Sequence, residues 1–221
     1  MAFDDNWEAI FSQQEWGKYP NEDVIRFTAR NFYSAEDRQS IRILDLGCGG
    51  GATTWYLARE GFDVYSVDGS PSAIKQATAY LRHENLSATF TVADFVQLDF
   101  DNGFFDAVYD LGAIQHNTKV NIEKIYREVA RVLKPGGLFF SSSINVETSG
   151  QDSAEQVEEN TFLHLNSINA DVLVHLFTEK ELRNLMNLFK NVTIDSTLRS
   201  WNNGKAQIGH YLVSGVAGSS K

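Results

Sequence analysis

The spacing of apolar residues switches repeatedly between two periods along the middle of the chain. Apolar runs at 41–44, 64–67, 88–92, 104–111 and 138–144 have strand length. Between them, 52–60 and 71–83 read as helices, the second with Ser70 as N-cap and Pro71 at its first position. Residues 121–133 place Ile122, Ile125, Tyr126, Val129 and Leu133 at helical spacing, and Lys134-Pro135-Gly136-Gly137 stops that pattern. Strands alternating with helices predict an α/β domain, doubly wound, with a mostly parallel sheet and helices on both faces. Ligands bind such sheets beyond the carboxyl ends of the strands. Asp45, Asp68, Asp94 and Asp110 fall at or near those ends, where four acids would line one edge; each alone also suits a helix or turn cap.

The flanks are less regular. Residues 24–33 predict a helix packed on the sheet. Thr178 and Glu181, in capping-box spacing, open another, with Leu182, Leu185, Met186 and Phe189 as its apolar face. Residues 192–198 and 208–216 predict two closing strands, and 218–221 a frayed tail. Residues 145–160 are polar and acidic and too long for an ordinary connection, which predicts a mobile lid or a disordered loop. The expected organisation is a helical, aromatic cap over 1–40 and one domain over 41–221, with a substrate-side insertion at 145–176. The aromatic residues of the cap serve packing on the plainest reading. The loop over 16–20, with Trp16 and Tyr19, is placed to cover a ligand.

Composition narrows the functional classes. With 221 residues, 43% hydrophobic and 22% charged, the chain suits one soluble domain with a full core. No apolar run approaches the roughly 18 residues of a membrane span. The acidic start lacks the basic and apolar regions of a secretory signal. A single cysteine excludes an internal disulfide and suits a reducing cytoplasm, the expected location. The net charge of −10 comes without a basic cluster, which disfavours nucleic acid and favours a small-molecule substrate.

Residues 43–51, Ile-Leu-Asp-Leu-Gly-Cys-Gly-Gly-Gly, join a buried strand to a helix through a glycine loop. Glycines let the backbone approach a ligand, and the helix N-terminus offers unpaired N–H groups. Gly47, Gly49 and Ala52 also fit the loose G-x-G-x-x-G/A dinucleotide pattern. Asp45 ahead of the first glycine is unwelcome to a pyrophosphate, but it accepts hydrogen bonds from a cationic amino acid.

The whole string from Asp45 through Gly47, Cys48 and Gly49 to Gly51 resembles the first motif of class I S-adenosylmethionine (SAM)-dependent methyltransferases. Further matches follow in order to about residue 216. They include Val92-Ala93-Asp94-Phe95, Phe105-Asp106-Ala107-Val108, Leu133-Lys134-Pro135-Gly136-Gly137 and Phe177-Thr178-Glu179. The resemblance implies a Rossmann-like methyltransferase fold of seven strands, the last antiparallel. Its cofactor would be SAM and its product S-adenosylhomocysteine (SAH). Asp45 would lie near the cofactor's amino group, with the backbone at Gly47, Cys48 and Gly49 against it. Asp68, followed by Gly69 and Ser70, would take the ribose hydroxyls, because a carboxylate accepts both protons of a diol. Asp94 would accept from the adenine amine and Phe95 flank the ring. Leu111 and Gln115 would meet the cofactor past the fourth strand, with Trp16 and Tyr19 as lid residues.

Methyl transfer from a sulfonium mainly needs proximity and orientation. His116 follows the fourth strand and would act as a base if the acceptor must lose a proton; the alternative is a shaping or capping residue. Cys48 is expected to pack in the loop rather than react. His164 and His175, with Glu158, Glu159 or Asp171, lack tight ligand spacing, so no metal is expected; substrate contact and surface decoration are the other readings. The expected activity is methylation of a small molecule at oxygen or nitrogen by a monomer or homodimer. Its rivals are a nicotinamide-dependent oxidoreductase and a non-catalytic cofactor-binding module. Against the oxidoreductase, no Tyr-x-x-x-Lys pair occurs.

Overall fold

A computed structural model describes residues 4–168 and 171–218. The start of the cap and all but the first residue of the expected tail lie outside that range. The strands are β1 (Arg42–Leu46), β2 (Asp63–Asp68), β3 (Thr89–Val92), β4 (Phe105–Asp110), β5 (Leu133–Ile144), β6 (Glu155–Glu158), β7 (Thr161–Leu163), β8 (Val174–His175), β9 (Phe189–Trp201) and β10 (Ala206–Ala217). The helices are α1 (Asp5–Gln13), α2 (Glu22–Phe32), α3 (Ala52–Arg59), α4 (Pro71–His83), α5 (Lys119–Val132) and α6 (Glu179–Leu185). Seven strands form the main sheet in the order β3-β2-β1-β4-β5-β10-β9. The first five are parallel, and β10 runs antiparallel to both β5 and β9. The doubly wound α/β architecture and its antiparallel last strand are as expected.

Strand residues alternate between two cores. Leu44, Val108 and Phe139 pack with Ile122, Ile125, Tyr126 and Val129 of α5. Their neighbours Ile43, Ala107 and Phe140 pack on the other face with Val24 and Phe32 of α2, Trp55 and Leu57 of α3 and Leu81 of α4. Burial on both faces explains why the strands read as continuous apolar runs. Each such side chain contributes about 1.5–3 kcal/mol when fully buried. Local signals set the helix ends. Ser70 caps α4, its hydroxyl accepting from Ala73 N (3.0 Å), and Thr178 caps α6 by accepting from Glu181 N (3.2 Å). The second half of that capping box does not form, because the Glu181 carboxylate pairs with His175 instead.

Three expectations are corrected. First, β5 begins at Leu133, not at 138. Leu133 pairs with Phe105, a register shift before Ala107 absorbs the Pro-Gly-Gly segment, and Lys134 Nζ is fixed on Asp106 (2.8 Å). Second, residues 145–160 fold. Ser149 N donates to Gln207 O of β10 (3.0 Å), and a 3-10 turn at Gln151–Ser153 leads into β6. The strands β6, β7 and β8 make a small antiparallel sheet over Ile144, Phe162, Leu165, Val174 and Leu176. Third, the helical cap holds a helix, α1, ahead of the single one expected over 24–33.

Gly51 sits at the crossing of α3 and α4 with φ +88°. A Cβ there would lie 2.8 Å from Ala77 Cβ and 3.1 Å from Ala77 Cα. Gly51→Ala should therefore destabilise the fold by about 2–4 kcal/mol, combining overpacking and left-handed strain. Urea unfolding measures it, and an unchanged midpoint would contradict this crossing.

Candidate functional site

A cavity of about 540 Å³ opens at the carboxyl ends of β1, β2 and β4 and is roofed by the N-terminal segment. Its floor is the glycine loop. Gly47 has φ +77°, and a Cβ on it would meet Ala113 Cβ at 2.1 Å, so no other residue fits without moving the loop after β4. Gly47 N and Cys48 N both donate to Val67 O (2.8 and 3.0 Å), which ties the loop to β2. Cys48 is buried, and burial pushes its thiol well above the usual range, so it is a packed side chain and not a thiolate.

Three of the expected acids line the wall, Asp45 from β1, Asp68 from β2 and Asp94 after β3, together with Asp4 ahead of α1. Asp68 accepts from Gly49 N through Oδ2 and from Ser70 N through Oδ1, both at 2.9 Å. Burial raises its pKa despite those bonds. Asp45 accepts from the Thr54 hydroxyl (2.6 Å). Burial pushes its carboxyl up to about 7, the Thr54 bond opposing and the Asp68 charge adding to the rise. Asp94 Oδ1 accepts from Val96 N (3.2 Å), beside Phe95.

The fourth expected acid lies elsewhere. Asp110 does not line the cavity, since its carboxylate accepts from Ala113 N, Ile114 N and the Ser141 hydroxyl at 2.7–3.0 Å. It holds the turn after β4, and burial raises it to about 6. Gly69 and Ser70 also stand outside the wall, Ser70 being committed to the α4 cap.

Leu111, Gln115 and His116 line the side past β4. Gln115 Oε1 accepts from Ile144 N (2.8 Å). His116 Nδ1 lies 2.7 Å from Leu173 O. A carbonyl only accepts, so Nδ1 carries the hydrogen and Nε2 holds the lone pair, 3.3 Å from Gln115 Nε2. Burial drives the His116 pKa down to about 4, leaving a neutral imidazole at neutral pH.

The roof joins several elements. Trp16 and Tyr19 line the cavity as expected, with Tyr19 otherwise 82% exposed. Trp7 and Phe11 of α1 also line it, Trp7 meeting the His116 ring edge-on at 4.7 Å. Glu8 fastens this helix. Its carboxylate accepts from the Ser70 hydroxyl (2.5 Å), the Ser72 hydroxyl (2.6 Å) and Ser72 N (3.1 Å) at the start of α4, and these bonds lower its pKa. Gln76 Nε2 adds bonds to Phe11 O and Gln14 O.

The other histidines sort differently. His175 is fully buried between the Thr161 hydroxyl (2.7 Å) and Glu181 (2.9 Å), a structural clamp with no access to a substrate. His164 pairs with Asp171 on the surface. His210 of β10 lines the cavity beside Ile208 although no motif marks it. Among the described residues, no group of three His, Cys, Asp or Glu could hold a metal ion. None of their helices is long and apolar enough to cross a membrane. Asp4, Trp7 and Phe11 were findable, because Asp4 caps a short stretch with helical spacing. Ile208 and His210 were not, since their facing depends on the β5–β10 register.

The seven-stranded sheet with its glycine loop defines a Rossmann-like methyltransferase fold. Residues 43–137 match a family described as "Methyltransferase domain". A sterol 24-C-methyltransferase of Aspergillus fumigatus is 36% identical over 105 residues, 46% of this chain and 27% of that protein. A ubiquinone biosynthesis O-methyltransferase of Rickettsia conorii is 32% identical over 111 residues, 50% of this chain and 37% of that one. The match thus spans well under half the length of these curated relatives. Among solved structures, a Haemonchus contortus phosphoethanolamine N-methyltransferase in complex with SAM shares the fold at TM-score 0.68 and 16% identity, over 97% of this chain and 56% of that one. Residues 43–137, less than half of the chain, thus match a methyltransferase domain, and the fold agrees with that match.

Glu8→Ala removes the three bonds that Glu8 makes from α1 to α4 and leaves those of Gln76. Amide hydrogen exchange in residues 5–13 should then speed up at least about tenfold, while exchange in β1 and β4 stays unchanged. Equal protection in wild type and variant would show that Glu8 does not fasten the helix.

Proposed function

We propose that this protein transfers the methyl group of SAM to an oxygen or nitrogen of a small molecule. One observation carries the reading: Asp45, Asp68 and Asp94 surround the glycine loop in a cavity that no lysine or arginine lines among the described residues. Such a wall suits a cofactor bearing a sulfonium and an ammonium, and opposes the pyrophosphate of a nicotinamide dinucleotide.

The residues fit that group in detail. Each Asp68 oxygen spends one acceptor site on the backbone and keeps another for a ribose hydroxyl. Asp45, raised in the free protein, would ionise beside an ammonium. Asp94 and Phe95 stand where an adenine amine and ring face would be met, with Trp16 and Tyr19 over the top. When bound, SAM supplies a methyl group on a good leaving group. The chain supplies orientation and exclusion of water through the roof, and at His116 Nε2 an acceptor for a proton released from the substrate.

Calorimetric titration with SAH tests this directly. Binding by wild type should weaken roughly 10–100-fold in Asp68→Asn, the loss expected for hydrogen bonds to a charged group. Folded wild type that ignores SAH but binds NAD would remove the proposal.

Asp45 adds a pH signature. Its pKa of about 7 in the free protein falls when a cation binds beside it. Because the ligand prefers the ionised carboxylate, SAH affinity should rise with pH up to about 7, by at most about tenfold per unit, and level off above. Proton release on binding, read from titrations near pH 6 in two buffers of different ionisation enthalpy, checks the sign. Proton uptake would show that Asp45 does not meet the ammonium.

A further inference from the structure

The part of the cavity beyond the glycine loop has its own chemistry. Its walls carry Ile144 at the end of β5, Ile208 and His210 on β10, Ile168 from the insertion, and His116 under Trp7. From these walls the geometry points to an acceptor that presents a hydroxyl to His116 on an apolar body, and that carries neither a carboxylate nor a phosphate. This deepens the methyl-transfer reading and rests on it.

Three observations carry the inference. First, among the described residues no cation lines the cavity to meet an anion. Lys18 Nζ sits over the Tyr80 ring at 5.9 Å, outside the wall, and Lys119 Nζ is held on Glu159 at 2.8 Å. Asp4 adds a carboxylate to the same wall. Helix α5 starts just past Asn117, but Glu158 of the insertion already occupies its N-terminus, accepting from Lys119 N at 2.8 Å. The usual backbone site for an anion is thus filled from within the chain. An acceptor carboxylate buried here would lack a cationic partner, which is costly.

Second, the lone pair of His116 is fixed. The Leu173 carbonyl holds the hydrogen on Nδ1, so Nε2 is an acceptor only; the Gln115 amide 3.3 Å away donates to it, and a substrate hydroxyl matches it by taking that place.

Third, Ile144, Ile168 and Ile208 come from three separate segments, the end of β5, the insertion and β10, and offer apolar surface to the rest of the molecule. The insertion therefore contributes twice: Ile168 as wall, and Glu158 as the plug that denies α5 to anions.

The experiment uses two matched phenols on the full chain saturated with SAH: methyl 4-hydroxybenzoate and 4-hydroxybenzoate. Binding is followed by the indole resonances of Trp7 and Trp16, which line the cavity, with exposed Trp201 as control. The neutral ester should move Trp7 and bind at least tenfold tighter than the carboxylate, and Glu158→Gln should narrow the gap. Equal or tighter binding of the carboxylate overturns the inference, and so does failure of both to move Trp7. SAH affinity, measured in the same samples, separates the two levels. Loss of SAH binding sinks the methyl-transfer reading, whereas intact SAH binding with a preference for the carboxylate sinks only this one.

Discussion

Everything around the cavity depends on how the Asp68 carboxylate divides its hydrogen bonds. One oxygen holds Gly49 N and so sets the glycine loop; the other holds Ser70 N and so sets the start of α4. Ser70 then caps its own helix and donates to Glu8, which brings α1 down as a roof. Floor, wall and roof meet within three linked residues at the end of β2. Such a chain of bonds in a low-dielectric setting is worth more when complete than its parts taken singly. It also explains why a buried acid is tolerated there, since its remaining acceptor capacity faces the cavity.

The same economy governs the other acids. Asp45 and Asp110 stand on neighbouring strands and are both fully surrounded, yet they do different things. Asp110 gives its oxygens to the turn and a serine, whereas Asp45 has a single hydroxyl partner and a place in the wall. Strand-end position alone does not tell a ligand-facing carboxylate from a turn-holding one. The number of local donors does.

That distinction marks what the sequence could reveal. The parallel sheet was legible because burial on both faces forces continuous apolar runs, and α4 because Ser70-Pro71 fixes its start chemically. The glycine loop and Asp68 were legible because the backbone geometry at Gly47 admits no side chain. The start of β5 was misread because Pro135 and Gly136 signal a stop in local terms, while pairing with β4 carries the strand through a bulge. The insertion looked disordered because its polar groups find partners on β10, nearly sixty residues away. Helix α1 escaped notice because its aromatic face covers a cavity and not the main core. His210 and Ile208 escaped because only tertiary register brings them round.

Helix α1 has nine residues, too few to persist in water without a docking surface. Its order is borrowed from Glu8, Gln76 and the aromatic contacts beneath it. The roof is therefore less a rigid door than a small folding equilibrium. A ligand entering under this roof would have to wait for those few contacts to let go, which would couple its passage to coil-to-helix transitions of residues 5–13.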